Sequence, residues 1–358
     1  MVSGTVFWTH NDASLTSDVF PRRECACTTQ CAGTATFVPS LANTVSSAQT
    51  PCFIEEVSED VREFYDLDLM VFGSRCFDRY MPFDLTLAAK CLTPGDEYSL
   101  APARGGAHPD RVLFLVGDSH AAMLLPAFAS ALKGEPLSVA LASVGNGAGF
   151  QGAFPNPAPA ECGEDCDRIT ERATESGSNT WVTAVRAILD DQVQAGDIVA
   201  VVTAEPKFPH VDYISAQQAL LAEMATSLSA KGATLLLVAD TPNIKAPGRR
   251  CIFADSFDEC IMPRSTAAWY QLNTPREDGL ELHVAVNEML ASLAAEHSAV
   301  EHIDSAWVWD KMCDAQTCGP AVPGTRTVAW LDLQHLSTAG ALYLGPFLNC
   351  WLHEKGLL

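Results

Sequence analysis

Two short motifs contain the residue types of an activated oxygen nucleophile. A Gly-Asp-Ser-His motif occupies residues 117–120, and an Asp-Leu-Gln-His-Leu-Ser motif occupies residues 332–337. Serine is a weak nucleophile at its own pKa, so it needs a neighbouring base, and that base needs a third group to hold it. The two motifs together supply a serine, a histidine and a carboxylate. This combination favours acyl-ester chemistry.

The first motif follows a predicted strand and precedes a predicted helix. Residues 111–116 form a continuous apolar run, typical of a strand buried on both faces, and a helical pattern follows at about 120–133. Gly117 allows a sharp turn that places Ser119 at the start of the helix. Backbone N–H groups and the helix dipole favour a developing oxyanion there. The alternative is a plain helix N-cap, since Asp and Ser are preferred capping residues.

The second motif supplies the base and its orienting group. Asp332 and His335 are three residues apart on a predicted turn, and Ser337 is suited to cap the last helix. Asp332 can accept a hydrogen bond from one ring nitrogen and leave the other nitrogen to face Ser119. The alternative is a surface turn that carries an ordinary histidine.

Strands and helices alternate from residue 111 onward. Further apolar strands are predicted near 137–142, 197–203, 233–239 and 300–304, with helices at about 180–194, 215–231 and 282–297. Five such units predict an α/β fold, a parallel sheet with helices on both faces. Ligands of such sheets bind beyond the carboxyl ends of the strands. We therefore expect both motifs to lie at one edge, with the segments that follow the strands at 145–149, 203–205 and 240–242.

Composition excludes several partners. The 358-residue chain has 44 acidic and 22 basic residues, a net charge of −22, which repels nucleic-acid phosphate and anionic lipid. No apolar stretch is long enough to span a membrane. Neutral glycans and small esters remain as substrates, and no cofactor is expected.

Cysteine usage indicates an oxidising compartment. The chain has 13 cysteines, many at close spacing, at positions 25, 27 and 31, 162 and 166, 251 and 260, and 313 and 318. Histidines are not interleaved with them at ligand spacing, so local disulfides are favoured over a metal site. The odd number leaves at least one thiol unpaired within the chain. We therefore expect an extracellular or lumenal location.

The N-terminal region differs from the rest. Residues 1–10 have neither the basic nor the apolar segment of a signal peptide, so we expect the chain to be a lumenal part of a longer protein. A cytosolic protein with many free thiols is the alternative. Residues 1–108 are predicted to be a Cys-containing extension of irregular structure, with a short helix around 55–65 and a linker at 94–109. Residues 109–358 form the domain that carries both motifs.

The two motifs together resemble the SGNH (GDSL-like) hydrolase superfamily. More narrowly, residues 110–350 resemble the SGNH domain fused to membrane acyltransferase-3 proteins, through the Leu-Leu-Leu-Val-Ala-Asp-Thr-Pro segment at 235–242 and the segment 303–318. The resemblance implies a three-layer αβα sandwich with a flavodoxin-like sheet. It also implies transfer or hydrolysis of O-acyl groups on carbohydrate outside the cytoplasm, with the membrane acyltransferase domain as acyl donor.

The resemblance also implies residue roles. Ser119 would be the nucleophile, His335 the base and Asp332 the orienting group, without a metal. The oxyanion would be bound by the Ser119 N–H and by a glycine after the second strand, Gly145 or Gly147.

One block of the family pattern is missing. The superfamily carries Gly-x-Asn-Asp after the third strand, where this chain has Thr-Ala-Glu-Pro at 203–206. One lost oxyanion donor costs about 100- to 1,000-fold in rate. Thr203, Asn146 or a backbone group replaces the missing donor, or hydrolysis is slow, which is acceptable in an acyltransferase. A catalytically degenerate glycan-binding module on the same fold is the alternative function.

Several nearby residues have two interpretations each. Asp118 is a helix cap or a site residue, and His120 is an ordinary helix residue or a second base. Glu205 is placed to have a perturbed pKa near the site. Three tryptophans also have two interpretations, as platforms that stack on a sugar or as core residues. The core is the more common place for aromatic residues. The three are Trp307, Trp309 and Trp330.

Overall fold

The computed structural model describes most of the chain from residue 76 onward. The described residues are 76–78, 84–105, 111–144, 178–202, 211–241, 262–263, 276–313, 317–319, 321–322, 329–330 and 335–358. The helix predicted around 55–65 lies outside them, as do the segments 145–149 and 203–205 that follow two of the strands.

Eight strands occur in the described residues. They are β1 (Phe77–Asp78), β2 (Arg111–Gly117), β3 (Leu137–Val144), β4 (Ile198–Val202), β5 (Thr234–Val238), β6 (Met262–Pro263), β7 (Val300–Ile303) and β8 (Thr317–Cys318). Six of them form one parallel sheet in the order β1-β3-β2-β4-β5-β7, and β6 and β8 form an antiparallel ribbon. The five longer parallel strands have the flavodoxin-like order. The predicted five-stranded parallel sheet is confirmed, and the two-residue strand β1 extends its edge.

Helices cover both faces of the sheet. They are α1 (Leu85–Leu92), α2 (Ser119–Ala131), α3 (Ser178–Gln192), α4 (Val211–Ala230), α5 (Arg276–Glu296), α6 (Ser305–Met312) and α7 (Thr338–Glu354). None of these helices, within the described part of the chain, combines the length and apolar character that a membrane span needs.

The core is divided by the sheet into two halves. Alternate residues of a strand point to opposite faces. Leu113 and Leu115 of β2 belong to the same buried cluster as residues of α2 and α7, whereas Phe114 and Val116 belong to the cluster that contains residues of α3, α4 and α5. This arrangement is the predicted three-layer αβα sandwich.

The segment before residue 108 contributes to the same sheet. Strand β1 pairs with β3, and Leu92 of α1 is fully buried. Asp84 caps α1, because its carboxylate accepts the N–H groups of Thr86 and Leu87 at 2.9 and 3.2 Å. One strand and one helix of the predicted extension thus pack on the domain, and the domain boundary at 108 stays a prediction.

One disulfide joins two cysteines that are not close together in the sequence. Cys76 and Cys91 are joined by a disulfide across a sequence separation of 15 residues, which ties the start of β1 to α1. Cys313 is also disulfide-bonded, and Cys350 is a buried thiol in α7. The close-spaced cysteines at 25–31, 162–166 and 251–260 lie outside the described residues.

A buried ion pair lies at the edge of the sheet where the parallel strands begin. Asp197, directly before β4, is fully buried and accepts two hydrogen bonds from the Arg104 guanidinium, at 3.2 and 2.6 Å. The same carboxylate accepts the backbone N–H groups of Val112 and Gln194, at 2.8 and 2.7 Å. These donors offset the cost of burying the charge. The pair lies at the edge opposite to the carboxyl ends of the strands.

Candidate active site

The turn between β2 and α2 places the predicted nucleophile. Gly117 has a φ of +157°, which L-residues rarely adopt, and a Cβ there would overlap the Val202 carbonyl oxygen and lie 3.0 Å from the Ala121 Cβ. Glycine is therefore needed where the chain passes close to β4. Ser119 follows as the first residue of α2. The helix start is thus held at the carboxyl end of β2.

Asp118 caps this helix. Its carboxylate accepts the His120 N–H at 2.8 Å, and its carbonyl oxygen accepts the N–H groups of Ala121 and Ala122 at 3.1 and 3.3 Å. The capping interpretation of Asp118 is therefore correct. Asp118 is buried, and this burial raises the pKa of its carboxyl group. The Asp240 carboxylate acts in the same direction, whereas the imidazoles of His120 and His335 and the hydrogen bond from the His120 N–H oppose it.

Backbone contacts fix the segment that carries His335. The Leu336 N–H donates to the Met123 Sδ of α2 at 3.1 Å, and the Ser337 N–H donates to the Ala329 carbonyl at 2.9 Å. Ser337 caps α7, because its Oγ accepts the Gly340 N–H at 3.0 Å, as the sequence predicts. His335 is thereby held two residues before the cap, against the start of α2.

Close packing of α7 on α2 supports this placement. A Cβ at Gly345 would lie 2.6 Å from the Ser130 Cβ, so glycine is needed for the helices to approach. The Asn349 Nδ2 donates to the Ala131 carbonyl at 2.7 Å. Helix α2, which begins with the predicted nucleophile, and α7, which follows the segment of the predicted base, therefore form one packed unit.

Ser119 and His335 are in direct contact. The His335 Nε2 lies 2.9 Å from the Ser119 Oγ, although the two residues are 216 positions apart in sequence. Both side chains are half-buried, so the pair is reachable from solvent. In the tautomer with a proton on Nδ1, the Nε2 accepts a hydrogen bond from the serine hydroxyl. This geometry allows His335 to take the Ser119 proton.

A second histidine and a second carboxylate lie beside this pair. The His120 Nδ1 lies 2.5 Å from the Asp240 Oδ1, and both side chains are almost fully buried. The Asp240 Oδ1 also accepts the Thr241 N–H at 2.7 Å. The rings of His120 and His335 are 5.0 Å apart between centroids, with an angle of 58° between their planes.

Sequence reasoning did not find the pairing of His120 with Asp240. In the sequence, the segment 240–242 is expected only to follow a strand, and an ordinary helix position is one of the two interpretations of His120. The rule that places Ser119 also brings both residues to the carboxyl edge of the sheet, but it does not pair them. Both residues directly follow the carboxyl ends of parallel strands, β2 and β5, in one sheet.

Other predicted site residues lie outside the described residues. These are Gly145, Asn146, Gly147, Thr203, Glu205 and Asp332. Among the tryptophans, Trp330 is fully buried in the core and Trp307 packs against the core, while the side chain of Trp309 is not among those described. Trp330 is therefore a core residue. Among the described residues, no group of His, Cys, Asp or Glu is placed to hold a metal ion.

Comparison with known proteins identifies the family. The family model described as "SGNH domain (fused to AT3 domains)" matches residues 86–349, and the chain belongs to that family. Among solved structures, the chain is similar to the periplasmic domain of a lipopolysaccharide acetyltransferase from Salmonella ser. Paratyphi A. The TM-score is 0.53 at 14% sequence identity, covering 84% of this chain and 98% of that one, which shows a common fold. No curated protein matches the chain.

Proposed function

We propose that this chain is a serine O-acyltransferase or O-acylesterase domain that acts on carbohydrate. Ser119 is the nucleophile, His335 the general base and Asp332 the group that orients His335. The observation that carries the proposal is the 2.9 Å contact between the Ser119 Oγ and the His335 Nε2 at the carboxyl edge of the sheet. Membership of the SGNH family and the sequence motifs support the same assignment.

The proposed reaction has two steps. The Ser119 Oγ attacks the acyl carbonyl carbon while the His335 Nε2 takes the hydroxyl proton, and the tetrahedral intermediate then expels the donor oxygen, which receives that proton. The acyl group is now esterified to Ser119. In the second step, His335 removes a proton from a sugar hydroxyl or from water, and the resulting oxygen nucleophile attacks the acyl carbonyl carbon. The Ser119 Oγ then leaves and takes the proton back from His335. A sugar hydroxyl gives transfer, and water gives hydrolysis.

The first turn of α2 supplies one oxyanion donor in this proposal. The first four N–H groups of a helix have no acceptor within it. Asp118 accepts the N–H groups of the three residues that follow Ser119, and we propose that the Ser119 N–H itself donates to the oxyanion. The positive end of the helix dipole adds to its effect. Gly145, Asn146, Gly147 and Thr203 are the candidates for the further donors.

The family supports a proposal for the acyl donor and for the location. Members of this family are fused to AT3 domains, so we propose a membrane acyltransferase domain as the partner that supplies the acyl group. The solved neighbour is described as a periplasmic domain of a lipopolysaccharide acetyltransferase. By analogy, we place this chain outside the cytoplasm with a glycan hydroxyl as acceptor.

A glycan-binding module without turnover is the second candidate. The Thr-Ala-Glu-Pro sequence at 203–206, where the superfamily carries an asparagine donor, favours it. The two candidates differ in the chemistry expected at Ser119. A binding module needs no nucleophile, so its glycan affinity would not depend on the Ser119 hydroxyl.

Acetate release tests the proposal. We would compare p-nitrophenyl acetate and an acetylated glycan as substrates for the wild type, Ser119→Ala and Ser229→Ala, a matched change at an exposed position of α4. We expect Ser229→Ala to match the wild type and Ser119→Ala to lose about 1,000-fold or more in kcat. Turnover that persists in Ser119→Ala contradicts the proposal. A folded wild type without turnover, which binds the glycan as Ser119→Ala does, establishes the binding module instead.

A further inference from the structure

The contact between His120 and Asp240 is buried beside the Ser119–His335 pair. The His120 Nδ1 lies 2.5 Å from the Asp240 Oδ1, with side-chain exposures of 3% and 7%. Neither side chain is placed to touch a bulky glycan substrate. Burying a polar pair carries a desolvation cost, which a core of ordinary apolar side chains would avoid. Because the His120–Asp240 pair lies at the proposed site but is buried, we look for a role that does not involve contact with the substrate.

Both members of the pair are anchored to rigid elements. The Asp240 Oδ1 accepts the Thr241 N–H at 2.7 Å, directly after β5. The His120 N–H donates to the Asp118 carboxylate at 2.8 Å in the first turn of α2. The His120 residue is thus held at its backbone N–H and contacted at its ring Nδ1.

The fixed ring lies against the proposed base. The centroids of the His120 and His335 rings are 5.0 Å apart, at an interplanar angle of 58°. The His335 Nε2 also lies 2.9 Å from the Ser119 Oγ. Contacts therefore run from Asp240 through His120 to His335 and Ser119. The segment of His335 is itself tied to α2 by the hydrogen bond from Leu336 to Met123.

We infer that Asp240 and His120 form a positioning pair that holds the His335 ring in the orientation required for proton transfer from Ser119. This inference rests on the proposed function and adds two residues to it. The pair acts through His335 and touches neither the acyl group nor the acceptor.

Kinetics of two variants test the pair. Asp240→Asn keeps the shape of the side chain and removes its charge, and His120→Asn keeps a donor near the Nδ1 position but removes the ring. A displacement of reacting groups by about 1 Å can cost 100-fold in rate, so we expect kcat to fall about 10- to 100-fold in both variants. KM should stay within about twofold, since the pair makes no substrate contact.

Matched controls separate positioning from simple destabilisation. Asp191→Asn and His353→Asn repeat the two substitutions at solvent-exposed positions and should keep the wild-type kcat. All rates are measured at 25 °C, below each variant's Tm, and per mole of folded protein. If Asp240→Asn does not fold, His120→Asn carries the test, because it leaves Asp240 bound to the Thr241 N–H.

NMR signals of the His335 ring test the positioning pair independently of enzymatic activity. The His335 ring signals are assigned by their loss in His335→Gln, and no turnover is needed to observe them. We expect Asp240→Asn and His120→Asn to shift these signals and Asp191→Asn to leave them unchanged.

Each combination of results decides the question. The positioning pair is overturned if the wild type is active and both Asp240→Asn and His120→Asn keep the wild-type kcat. It is also overturned if both variants leave the His335 signals unchanged. In either case an active wild type leaves the proposed function standing. A wild type without turnover fails the proposed function, and the His335 signals then decide the pair alone. Reduced kcat together with shifted His335 signals supports both.

Discussion

Gly117→Ala is expected to damage both stability and the candidate site. The residue lies between β2 and the helix that begins at Ser119. An added Cβ would overlap the carbonyl oxygen of Val202 and lie 3.0 Å from the Ala121 Cβ, and φ is +157°. Neither neighbour is the end of a flexible side chain, so the turn itself has to move. Any such movement shifts Ser119 relative to His335.

The magnitude follows from two separate costs. A positive φ costs an L-residue about 1–2 kcal/mol, and overpacking typically adds about 1–3 kcal/mol. We therefore expect Gly117→Ala to lower the free energy of unfolding by about 2–5 kcal/mol, which corresponds to a fall in Tm of about 5–15 °C for a domain of this size. A shift of Ser119 by about 1 Å lowers its reactivity by up to about 100-fold.

Gly134→Ala is the matched control. Gly134 also has a positive φ, of +87°, but a Cβ there meets nothing within 4 Å. Only the backbone cost of about 1–2 kcal/mol applies, and reactivity at Ser119 should be unchanged. Urea titration gives the stabilities, and the rate of labelling by a fluorophosphonate gives the reactivity. The reasoning is refuted if Gly117→Ala equals Gly134→Ala in both measurements.

Three further predictions concern stability. Asp197→Ala removes one partner of the buried ion pair, so we expect a loss of about 3–5 kcal/mol in urea titration with unchanged labelling of the site; a loss below about 1 kcal/mol would disprove this. Burial raises the pKa of Asp118, so its contribution favours folding at pH values below its unfolded pKa and is lost as the pH rises through its folded pKa. Asp118→Asn keeps a capping oxygen and should flatten the fall in Tm that begins above the unfolded pKa of about 3.9, whereas Asp118→Ala also loses about 1 kcal/mol of capping; a profile unchanged in Asp118→Asn would contradict this. Replacing Cys76 and Cys91 together by serine opens a disulfide loop with a sequence separation of 15 residues and should cost about 3 kcal/mol; an unchanged Tm would count against a stabilising role.

The placement of Ser119 and His335 could be predicted because it depends on local patterns and one rule of topology. The apolar run at 111–116, Gly117 and the helix pattern after it define where β2 ends. Ser337 marks the start of the last helix in the same way, and its capping hydrogen bond to Gly340 is present. Parallel strands bring their carboxyl ends to one edge, which places both motifs there.

The partner of His120 could not be predicted in the same way. Helical periodicity gives His120 a position on α2 but not a contact with a residue 120 positions later in the chain. That contact depends on the order of β2, β4 and β5 across the sheet and on how deeply the two side chains are buried. A single sequence contains no local signal for either.

Long-range cysteine pairing and the role of tryptophans were also beyond local patterns. The Cys76–Cys91 disulfide joins a strand to a helix, so its spacing depends on the fold. Tryptophan occurs both as a sugar platform and as a core residue. Only the complete burial of Trp330 in the structure shows that it is a core residue.

Intact-mass measurement after treatment with a fluorophosphonate tests the central claim most directly, because the reagent reacts with an activated serine and needs no knowledge of donor or acceptor. The account predicts one adduct, mapped by peptide analysis to Ser119, absent in Ser119→Ala and formed at least about 100-fold more slowly in His335→Gln. Undiminished labelling of Ser119→Ala, or a folded wild type that forms no adduct, would contradict the claim that Ser119 and His335 form a nucleophilic pair.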